Sequence, residues 1–589
     1  MASTTTKPSQ PLSARSHPGT AGRLPAFLRH PVGLSLVSAS LLWLSFPPMG
    51  WHGAAWFALV PVFLMVGDPR PRRSIPLAAL LGGFAFWLLA VQWVLATDSS
   101  AWVGWLAMAL VLSLFWVGFV VISRSILRRT GLPILLVLPV GWVGLEYLRA
   151  YVLTGFPWYY LAHSQYRQIY WTQIADFAGS LGLSLLIALV NATIVEWLIP
   201  VFYPSTSVAN LNKPMGWRRF STPRWVRLGL VIASVFGTLG YGVFRVKTAT
   251  FRDGPRVAML QSSEAQHYNP AERKSPNSLH QLYLGMVENA VAGPLKPDLV
   301  VWPETAFPFG RFAIDPDLAA PVLDEQAKQY GTDFIGADLK LRQERNNAEF
   351  RRIIDRYRVP MMIGVTTHDF RVSGYSRYNS AVLFRPGVDP QSYHKLHLVP
   401  FGEYVPLIDL FPWLIKLTPF TADQMPSLKF GDTPTWFHFG PYRLATAICF
   451  EDTVPHVVRR FFAEAPDAAQ PDLIVNLSND GWFHDTSEHE MHLAVSTFRC
   501  VENRVPMARA VNTGISALID GNGSIVRSVP QNKQEVLTVV APLDDRTSLY
   551  SRWGDWLGQL TLAGTVGLLV LGWVAPRRSP PLNPQPDVA

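Results

Sequence analysis

Long apolar stretches alternate with short polar loops through the first part of the chain, and one more apolar stretch lies near its end. A membrane-spanning helix needs about 20 consecutive apolar residues, and most of these stretches approach that length. We therefore predict an α-helical membrane bundle of about eight spans, in which a long polar region precedes the last span. The stretches are 32–48, 53–67, 75–96, 101–122, 132–148, 178–199, 227–244 and 557–574.

Basic residues mark one side of these predicted spans, because their clusters fall in every second loop. Loops rich in Lys and Arg stay in the cytoplasm, so we expect both termini there and residues 248–550 on the far side of the membrane. The net charge of +9 then mainly reflects the basic loops that orient the predicted spans, and we expect no nucleic acid partner. The clusters are Arg70, Arg72 and Arg73; Arg124, Arg128 and Arg129; Lys213, Arg218, Arg219 and Arg224; and Arg577 and Arg578.

The region beyond the seventh apolar stretch has the pattern of a soluble α/β domain. Short β-rich runs, such as DLVVWPET (298–305) and YRLATAIC (442–449), are separated by helix-compatible stretches at 318–330 and 487–503. This alternation predicts sheets whose faces are covered by helices. The charged segment 338–358 predicts an amphipathic helix with a solvated face.

Composition agrees with a membrane protein that carries an external domain. Hydrophobic residues make up 49% of the chain and charged residues 16%, which is too apolar for an ordinary soluble enzyme. The two cysteines, Cys449 and Cys500, exclude a disulfide scaffold and leave both thiols available for chemistry. The predicted divisions are a disordered basic tail (1–30), a membrane domain (31–247), an external α/β domain (248–550), a closing membrane helix (551–576) and a cytoplasmic tail (577–589).

Three predicted strand ends in the external domain carry a reactive side chain. Glu304 follows an apolar run and a proline, Lys395 lies in HKLHLVPFGEYVP, and Cys449 ends YRLATAIC just before a predicted helix. A cysteine near a helix N-terminus is expected to favour the thiolate. Together the groups form an acyl-transfer set, with Glu304 as general base, Lys395 as oxyanion stabiliser and Cys449 as nucleophile. Each residue alone also fits an ordinary structural role.

Several linked motifs resemble the nitrilase superfamily, whose members use a Glu–Lys–Cys triad on an αββα sandwich. With the predicted spans added, the chain is similar to the apolipoprotein N-acyltransferase family from about residue 32 to 574. The resemblance implies a nitrilase-like αββα sandwich outside the membrane. The matching stretches are WPETAFP (302–308), YNSA (378–381), KLHLVPFGEYVP (395–406), CFE (449–451), NLSNDGWF (476–483), NTGISALI (512–519) and, in the membrane part, EYLRAYVLTGFPW (146–158).

The resemblance also assigns roles to particular residues. It implies Glu304, Lys395 and Cys449 as the catalytic triad. Glu403 matches a further glutamate that holds the lysine and cysteine region, and Glu451 matches the glutamate two residues after the nucleophile. The other supporting or substrate-binding candidates are Phe450, where many relatives have Tyr, Tyr268, which lies near the place of a substrate-contacting Trp, and Asn379 and Asn479, in YNSA and NLSNDGWF.

The activity that the resemblance implies is acyl transfer between two lipids. A phospholipid, typically phosphatidylethanolamine, gives an acyl chain to Cys449 as a thioester. The α-amino group of the N-terminal diacylglyceryl-cysteine of an apolipoprotein then receives it. The implied enzyme lies in the bacterial inner membrane with its catalytic domain on the periplasmic side. We expect a monomer with no metal and no cofactor.

Two other functions fit parts of the pattern. A membrane-anchored nitrilase-like amidase could act on a small amide, although one span would anchor it. A transporter or lipid-binding protein could carry an inactive catalytic domain, although the three reactive residues are intact and intramembrane charges are few. Replacing Cys449 by Ala separates these classes, because catalysis is lost while transport or binding survives.

The remaining features have open or structural interpretations. The segment 406–420 predicts either an arm touching the bilayer or a buried loop. Glu146 and Arg149 at the end of a span either pair structurally or contact a lipid head group. We interpret Cys500 as packing, and the two histidines of HEMH, His489 and His492, as structural, because no further ligand set surrounds them.

Overall fold

A computed structural model describes residues 27, 30–70, 72–203, 222–266, 273–331, 334–408, 410–417, 428–465 and 470–574. Most of the predicted N-terminal tail lies outside the described residues, as do Lys213, Arg218, Arg219, Tyr268, the end of the 406–420 segment and the tail from residue 577.

Helices form in each of the eight apolar stretches. They are α1 (Pro31–Ser45), α2 (Ala55–Ala58), α3 (Val60–Gly67), α4 (Ile75–Ala90), α5 (Trp102–Thr130), α6 (Ile134–Arg149), α7 (Ile169–Thr172), α8 (Ala175–Ala178), α9 (Ser180–Phe202) and α10 (Arg224–Lys247), with the final helix described below. Among the described residues, four helices are long and apolar enough to cross a membrane, namely α5, α9, α10 and the final helix.

Local sequence sets the limits of these helices. Helix α5 ends where Gly131 adopts a positive φ of 68° and donates its N–H to the carbonyl of Leu127. Only glycine reaches that conformation without strain, so it is the usual residue after a helix C-terminus. Pro133 then precedes α6, where a residue without an N–H costs the helix nothing.

The α/β domain that follows α10 consists of two sheets flanked by helices. Its helices are α11 (Pro276–Ala292), α12 (Ala320–Tyr330), α13 (Gly336–Tyr357), α14 (Pro455–Ala463), α15 (Glu488–Asn503), α16 (Leu549–Trp553) and, after the domain, α17 (Trp556–Val574). Its strands are β1 (Phe251–Gln261), β2 (Leu299–Val301), β3 (Phe307–Ile314), β4 (Met361–Arg371), β5 (Gly374–Arg385), β6 (Val388–His394), β7 (Phe437–Phe439), β8 (Tyr442–Ile448), β9 (Leu473–Ser478), β10 (Met507–Val511), β11 (Ser516–Ile519), β12 (Ile525–Val529) and β13 (Glu535–Asp544).

The two sheets pack face to face around one apolar core. The first has the order β13-β1-β2-β4-β5-β6, with β3 paired to β4, and the second has the order β12-β11-β10-β9-β8-β7. Val257 and Leu299 of the first sheet share this core with Leu444 and Leu473 of the second. Helices α11 and α13 cover the first sheet, and α14 and α15 pack on the second. The predicted nitrilase-like αββα sandwich is therefore confirmed.

Helix α15 lies between the second sheet and the membrane bundle. Leu493 and Cys500 belong to the core of the sheets, whereas Met491 and Phe498 belong to the core of the bundle. Every residue of α15 except Glu490 is buried. The helix therefore joins the two parts of the molecule, and it lies directly behind the strands that carry the candidate site.

A buried polar network fixes the same junction. Arg504, which follows α15, donates to Asp176 in the bundle at 2.5 Å and to the side chain of Gln173 at 2.7 Å. Asp176 also pairs with Arg245 of α10 at 2.8 Å. Because a buried charge must be paired, separating the two parts at this junction would leave Arg504 without its carboxylate partner.

Candidate active site

Glu304, Lys395 and Cys449 converge in one site between the two sheets. Glu304 follows β2, Lys395 follows β6 directly, and Cys449 follows β8 directly. The Lys395 Nζ lies 3.4 Å from the Glu304 Oε1, and the Cys449 thiol is close enough to the Glu304 carboxyl for each to shift the pKa of the other. A carboxyl, an amine and a thiol from three strand ends thus share one small volume.

The backbone at Cys449 is strained. Its φ is +51°, in the left-handed region that residues other than glycine seldom adopt. The residue begins a short 3₁₀ helix, Cys449–Thr453, directly after β8. Such a sharp strand-to-helix turn presents a nucleophile away from its strand, and strain of this kind concentrates at functional sites.

Glu403 and Asn379 complete the surroundings of the lysine. Lys395 Nζ lies 3.0 Å and 2.9 Å from the two oxygens of Glu403. The amide of Asn379 donates to Glu304 at 2.6 Å and to Glu403 at 2.8 Å. The lysine and the amide therefore lie between two carboxylates and fix their positions.

Burial determines the charge states in this site. Burial lowers the pKa of Lys395, but Glu403 and Glu304 outweigh that effect and hold the pKa above its usual value. Burial raises the pKa of Glu304, and Lys395 opposes the shift. Burial and then Glu304 raise the pKa of the Cys449 thiol well above its usual value. The expectation of a thiolate stabilised by a helix N-terminus is therefore wrong, and the resting thiol needs a base.

Glu451 anchors both loops that carry the reactive groups. Its carboxylate accepts from the N–H groups of Leu396 at 2.6 Å and His397 at 2.9 Å, next to Lys395. It also accepts from the N–H of Ile448 at 2.7 Å, next to Cys449. Tyr393 donates its hydroxyl to the same carboxylate at 2.9 Å. Burial raises the pKa of Glu451 to about 7, against the effect of Lys395 and these donors.

We expect Glu451→Gln to lower both stability and activity. An amide offers one acceptor oxygen in place of two, so at least one buried N–H loses its partner at a cost of about 1–3 kcal/mol. Thermal unfolding and the rate of enzyme acylation measure the two effects. The control is Glu464→Gln, an exposed glutamate paired with Arg460. An unchanged melting temperature in Glu451→Gln would contradict the anchoring role.

Two family models match the chain. The model of the apolipoprotein N-acyltransferase N-terminal domain matches residues 38–193, and the carbon-nitrogen hydrolase model matches residues 256–550. The apolipoprotein N-acyltransferase of Geobacter metallireducens is 29% identical, with 92% of this chain and 95% of that protein covered. That of Chlorobaculum tepidum is 30% identical, with 93% and 98% covered. The chain belongs to the apolipoprotein N-acyltransferase family.

Among solved structures, an amidase from Nesterenkonia sp. is 15% identical to this apolipoprotein N-acyltransferase family member, with a TM-score of 0.32. The alignment covers 50% of this chain and 93% of that one. The resemblance inferred from the linked motifs is confirmed by the family models and the two relatives.

Phe450 and Asn479, two further candidate site residues of this family member, lie in different surroundings. Phe450 stacks near Trp158 and His397, with ring centroids 6.5 Å and 5.8 Å away, and so borders the membrane domain. Asn479 accepts from the N–H of Gly481 at 3.2 Å and from Asn512 at 2.9 Å. Its bonds among the described residues stabilise a turn and do not reach the triad.

Sequence reasoning missed two residues that contact the nucleophile. The Ser478 side chain lies near enough to Cys449 to oppose the rise in the pKa of its thiol, and Asn476 donates to the Cys449 carbonyl at 3.4 Å. Both belong to β9, where side chains two positions apart point to the same face. Polar residues at alternate positions in the buried run LIVNLS could have indicated them.

Glu146 and Arg149 act on the loop that follows α6. Arg149 donates to the carbonyls of Phe156 at 2.9 Å and Trp158 at 2.6 Å. Glu146 accepts from the N–H of Leu161 at 3.0 Å. Both side chains are buried and hold this loop, whereas the salt bridges of the described residues include no pair between Glu146 and Arg149, so the predicted pairing is not observed.

The remaining interpretations separate into confirmed and wrong ones. Cys500 is buried, as expected for packing. In the 406–420 segment Leu410 and Trp413 are exposed, which argues against an ordinary buried loop in its described part. The expectation that no ligand set surrounds His489 and His492 is wrong, because folding brings acidic side chains from other segments to both rings.

Proposed function

We propose that this chain transfers an acyl chain from a phospholipid to the α-amino group of the N-terminal diacylglyceryl-cysteine of apolipoproteins. The observation that carries the proposal is the convergence of Glu304, Lys395 and Cys449 in a nitrilase-like domain that is joined to an apolar helical bundle. Membership of the apolipoprotein N-acyltransferase family supports it.

In the first half-reaction Glu304 takes the proton of the Cys449 thiol as Sγ attacks the ester carbonyl of the phospholipid. Lys395 and backbone N–H groups after the cysteine stabilise the oxyanion of the tetrahedral intermediate. The C–O bond then breaks, and Glu304 returns the proton to the leaving glycerol oxygen. The products are a lysophospholipid and a thioester on Cys449.

In the second half-reaction the amine of the lipoprotein attacks the thioester carbonyl. Glu304 takes a proton from the attacking nitrogen and returns it to the departing sulfur, so the free thiol is restored. Glu403 and Asn379 keep Lys395 and Glu304 in position through both steps. The ester and the thioester carry the required reactivity, so the scheme uses the side chains of the chain itself.

Both substrates are lipids, and the site must lie close to a bilayer. Each CH₂ group exposed to water costs about 0.8 kcal/mol, so an acyl chain needs an apolar route to Cys449. The exposed side chains of Leu410, Phe411 and Trp413 form an apolar surface suited to the bilayer. In this proposal they contact the membrane near the entrance of the site.

The same proposal places the chain in the bacterial inner membrane as a monomer with eight spans. Seven spans fall within 31–247 and one within 551–576, with both termini in the cytoplasm. The nitrilase-like domain of 248–550 then lies on the periplasmic side. Basic clusters such as Arg124, Arg128 and Arg129 support this orientation, because positively charged loops stay in the cytoplasm.

An amidase acting on a small soluble amide has less support. Such an enzyme needs neither the large apolar bundle nor the N-terminal acyltransferase domain matched over 38–193. Phosphatidylethanolamine is the donor proposed first, because it is the donor that the family resemblance implies; the ester of any phospholipid would give the thioester without an activated intermediate.

Mass spectrometry of the intact protein tests the proposal. Purified chain incubated with phosphatidylethanolamine alone should gain one acyl mass, which hydroxylamine removes. Cys449→Ala should show no adduct and lose transfer by more than about 10³-fold, because the nucleophile is gone. The control is Cys500→Ala, which removes the other thiol and should keep the adduct. No adduct from any of several phospholipids, with folded protein, would reject the acyltransferase.

A further inference from the structure

One buried arginine lies behind the candidate active site and contacts groups that surround the nucleophile. Arg509 belongs to β10, and its side chain is 0% exposed. The acyl-transfer steps do not use it. Its guanidinium donates to the side chains of Asp452 at 2.8 Å, Asp480 at 3.0 Å, Asn476 at 3.3 Å and Ser496 at 3.1 Å. We call Arg509 and these four partners the arginine hub.

The register of three neighbouring strands sets the positions of Arg509 and Asn476. Arg509 of β10 lies opposite Asn476 of β9, and Asn476 lies opposite Ala447 of β8. Residues that lie opposite each other in a sheet present their side chains on the same face. The guanidinium therefore reaches across β9 towards the end of β8, where Cys449 follows.

Asn476 connects the arginine to the backbone of the nucleophile. Its side-chain oxygen accepts from Arg509, and its amide group donates to the carbonyls of Ala447 at 3.3 Å and Cys449 at 3.4 Å. Because a guanidinium can only donate, it keeps the amide oxygen on its own side and the NH₂ group on the other. The NH₂ group is thereby directed at the turn in which Cys449 has its φ of +51°.

The two carboxylates of the hub reach the same turn from other directions. Asp452 lies in the short 3₁₀ helix that begins at Cys449. Asp480 accepts from the hydroxyl of Ser478 at 2.7 Å, and the Ser478 side chain lies near the Cys449 thiol. Arg509 thus supports the backbone before the nucleophile, the backbone after it and a side chain beside it.

Buried ion pairs make this support rigid. Burial alone would raise the pKa of Asp452 and Asp480, but His492 and then Arg509 hold it below its usual value. Burial and Arg509 would lower the pKa of His492, but the two carboxylates hold it well above its usual value. Two carboxylates therefore meet one guanidinium and one imidazolium. Moving any of these groups away would leave an unpaired buried charge, so their positions are fixed.

We infer that Arg509 is a positioning residue that holds Cys449 in its strained turn through the other members of the arginine hub. A residue other than glycine keeps a left-handed conformation only where its surroundings enforce it. Arginine suits this task better than lysine, because its planar fork serves several acceptors in fixed directions. The inference rests on the proposed function, in which Cys449 attacks the donor ester.

Acylation kinetics of Arg509→Lys test the inference. Lysine keeps the charge but cannot reach all four acceptors, so the thiol should lose its alignment. The maximal rate of thioester formation from phosphatidylethanolamine should fall about 10–100-fold, as expected when a reacting group is displaced by about 1 Å. The donor concentration at half-maximal rate should stay within about twofold of the wild-type value, because the hub lies behind the nucleophile.

The matched control is Arg499→Lys. Arg499 on α15 is also 0% exposed, and its guanidinium pairs with Glu502. Both variants remove a buried guanidinium, so both should lower the melting temperature, but only Arg509→Lys should slow acylation. Equal losses of rate in the two variants, or an unchanged rate in Arg509→Lys, would overturn the inference.

Asn476→Ala covers the case in which Arg509→Lys does not fold. It breaks the connection from Arg509 to the Cys449 carbonyl and leaves the other three contacts of the guanidinium in place. The fold should therefore persist while acylation slows by about tenfold or more. An Asn476→Ala chain that is acylated as fast as wild type would contradict the positioning role.

A reaction without lipid separates this inference from the proposed function. Iodoacetamide alkylates the Cys449 thiol as its proton leaves, so alkylation depends on the same alignment with Glu304. Peptide mass should show slower alkylation of Cys449 in Arg509→Lys and Asn476→Ala, but not in Arg499→Lys. Wild-type chain that is alkylated but never acylated would reject the acyl transfer, and slower alkylation in the two hub variants would still support the positioning role. Equal alkylation rates in all four chains would overturn it.

Discussion

Glu304→Gln reduces acylation of Cys449 by about 10²–10⁴-fold, the usual contribution of a positioned general base. The amide keeps the shape of the carboxyl but cannot take the thiol proton. That proton must be removed, because burial and the nearby carboxyl raise the pKa of Cys449 well above its usual value. The measurement is the initial rate of thioester formation from phosphatidylethanolamine, followed by intact-protein mass.

A pH series distinguishes loss of the base from general damage. In Glu304→Gln the thiol ionises without help, so its acylation rate should keep rising with pH while the wild-type rate levels off. The control is Glu325→Gln, an exposed glutamate on α12 that pairs with Lys328. A Glu304→Gln rate within tenfold of wild type at neutral pH would remove Glu304 from the role of base.

The architecture could be predicted well from the sequence, because the apolar stretches, strand-like runs and turn residues used for the prediction each depend on local structure. The stretches at 101–122 and 557–574 became α5 and α17, and the runs before Glu304 and Cys449 became β2 and β8. Apolar length, strand-like runs and turn residues act over a few residues, so they are visible in one segment at a time.

The pKa values and contacts of the site residues could not be predicted from the sequence in the same way. The pKa of Cys449 is raised by burial and by Glu304, which belongs to a segment far away in the sequence. Glu451 looked like a first-turn acid, but its carboxylate joins the loops of Lys395 and Cys449. Glu488 is a local neighbour of His489 and His492, but Asp452 and Asp480 reach the rings only through tertiary packing, since Asp452 lies 40 positions from His492 in the chain.

The burial of α15 on all sides could likewise not be predicted from its sequence. Its sequence predicts a helix, and a helix over 488–503 is present. Polar residues such as His492 and Arg499 would suggest one solvated face. Both are buried, because the helix is enclosed by the sheet on one side and the membrane bundle on the other. Periodicity indicates a helix but does not say how many of its faces find partners.

Lys395→Met should slow acylation strongly and destabilise the fold. The wild-type ammonium lies between the carboxylates of Glu304 and Glu403, and its side chain is 0% exposed. Removing one partner of a buried ion pair leaves an uncompensated charge and costs about 3–5 kcal/mol. Loss of the oxyanion stabiliser should slow acylation by about 10²–10³-fold, which is the usual rate loss when one oxyanion-hole donor is removed. Thermal unfolding and the thioester assay measure the two effects separately.

The double variant Lys395→Met with Glu403→Gln separates stability from catalysis. Glu403→Gln removes one of the two carboxylates that the lysine had neutralised, so the double variant should melt at a higher temperature than Lys395→Met alone. Its acylation rate should stay as low as that of Lys395→Met, because the positive charge beside the thiol is still missing. Recovery of acylation together with stability would show that Lys395 acts only through folding. Equal melting temperatures would show instead that the two carboxylates are neutral without the lysine.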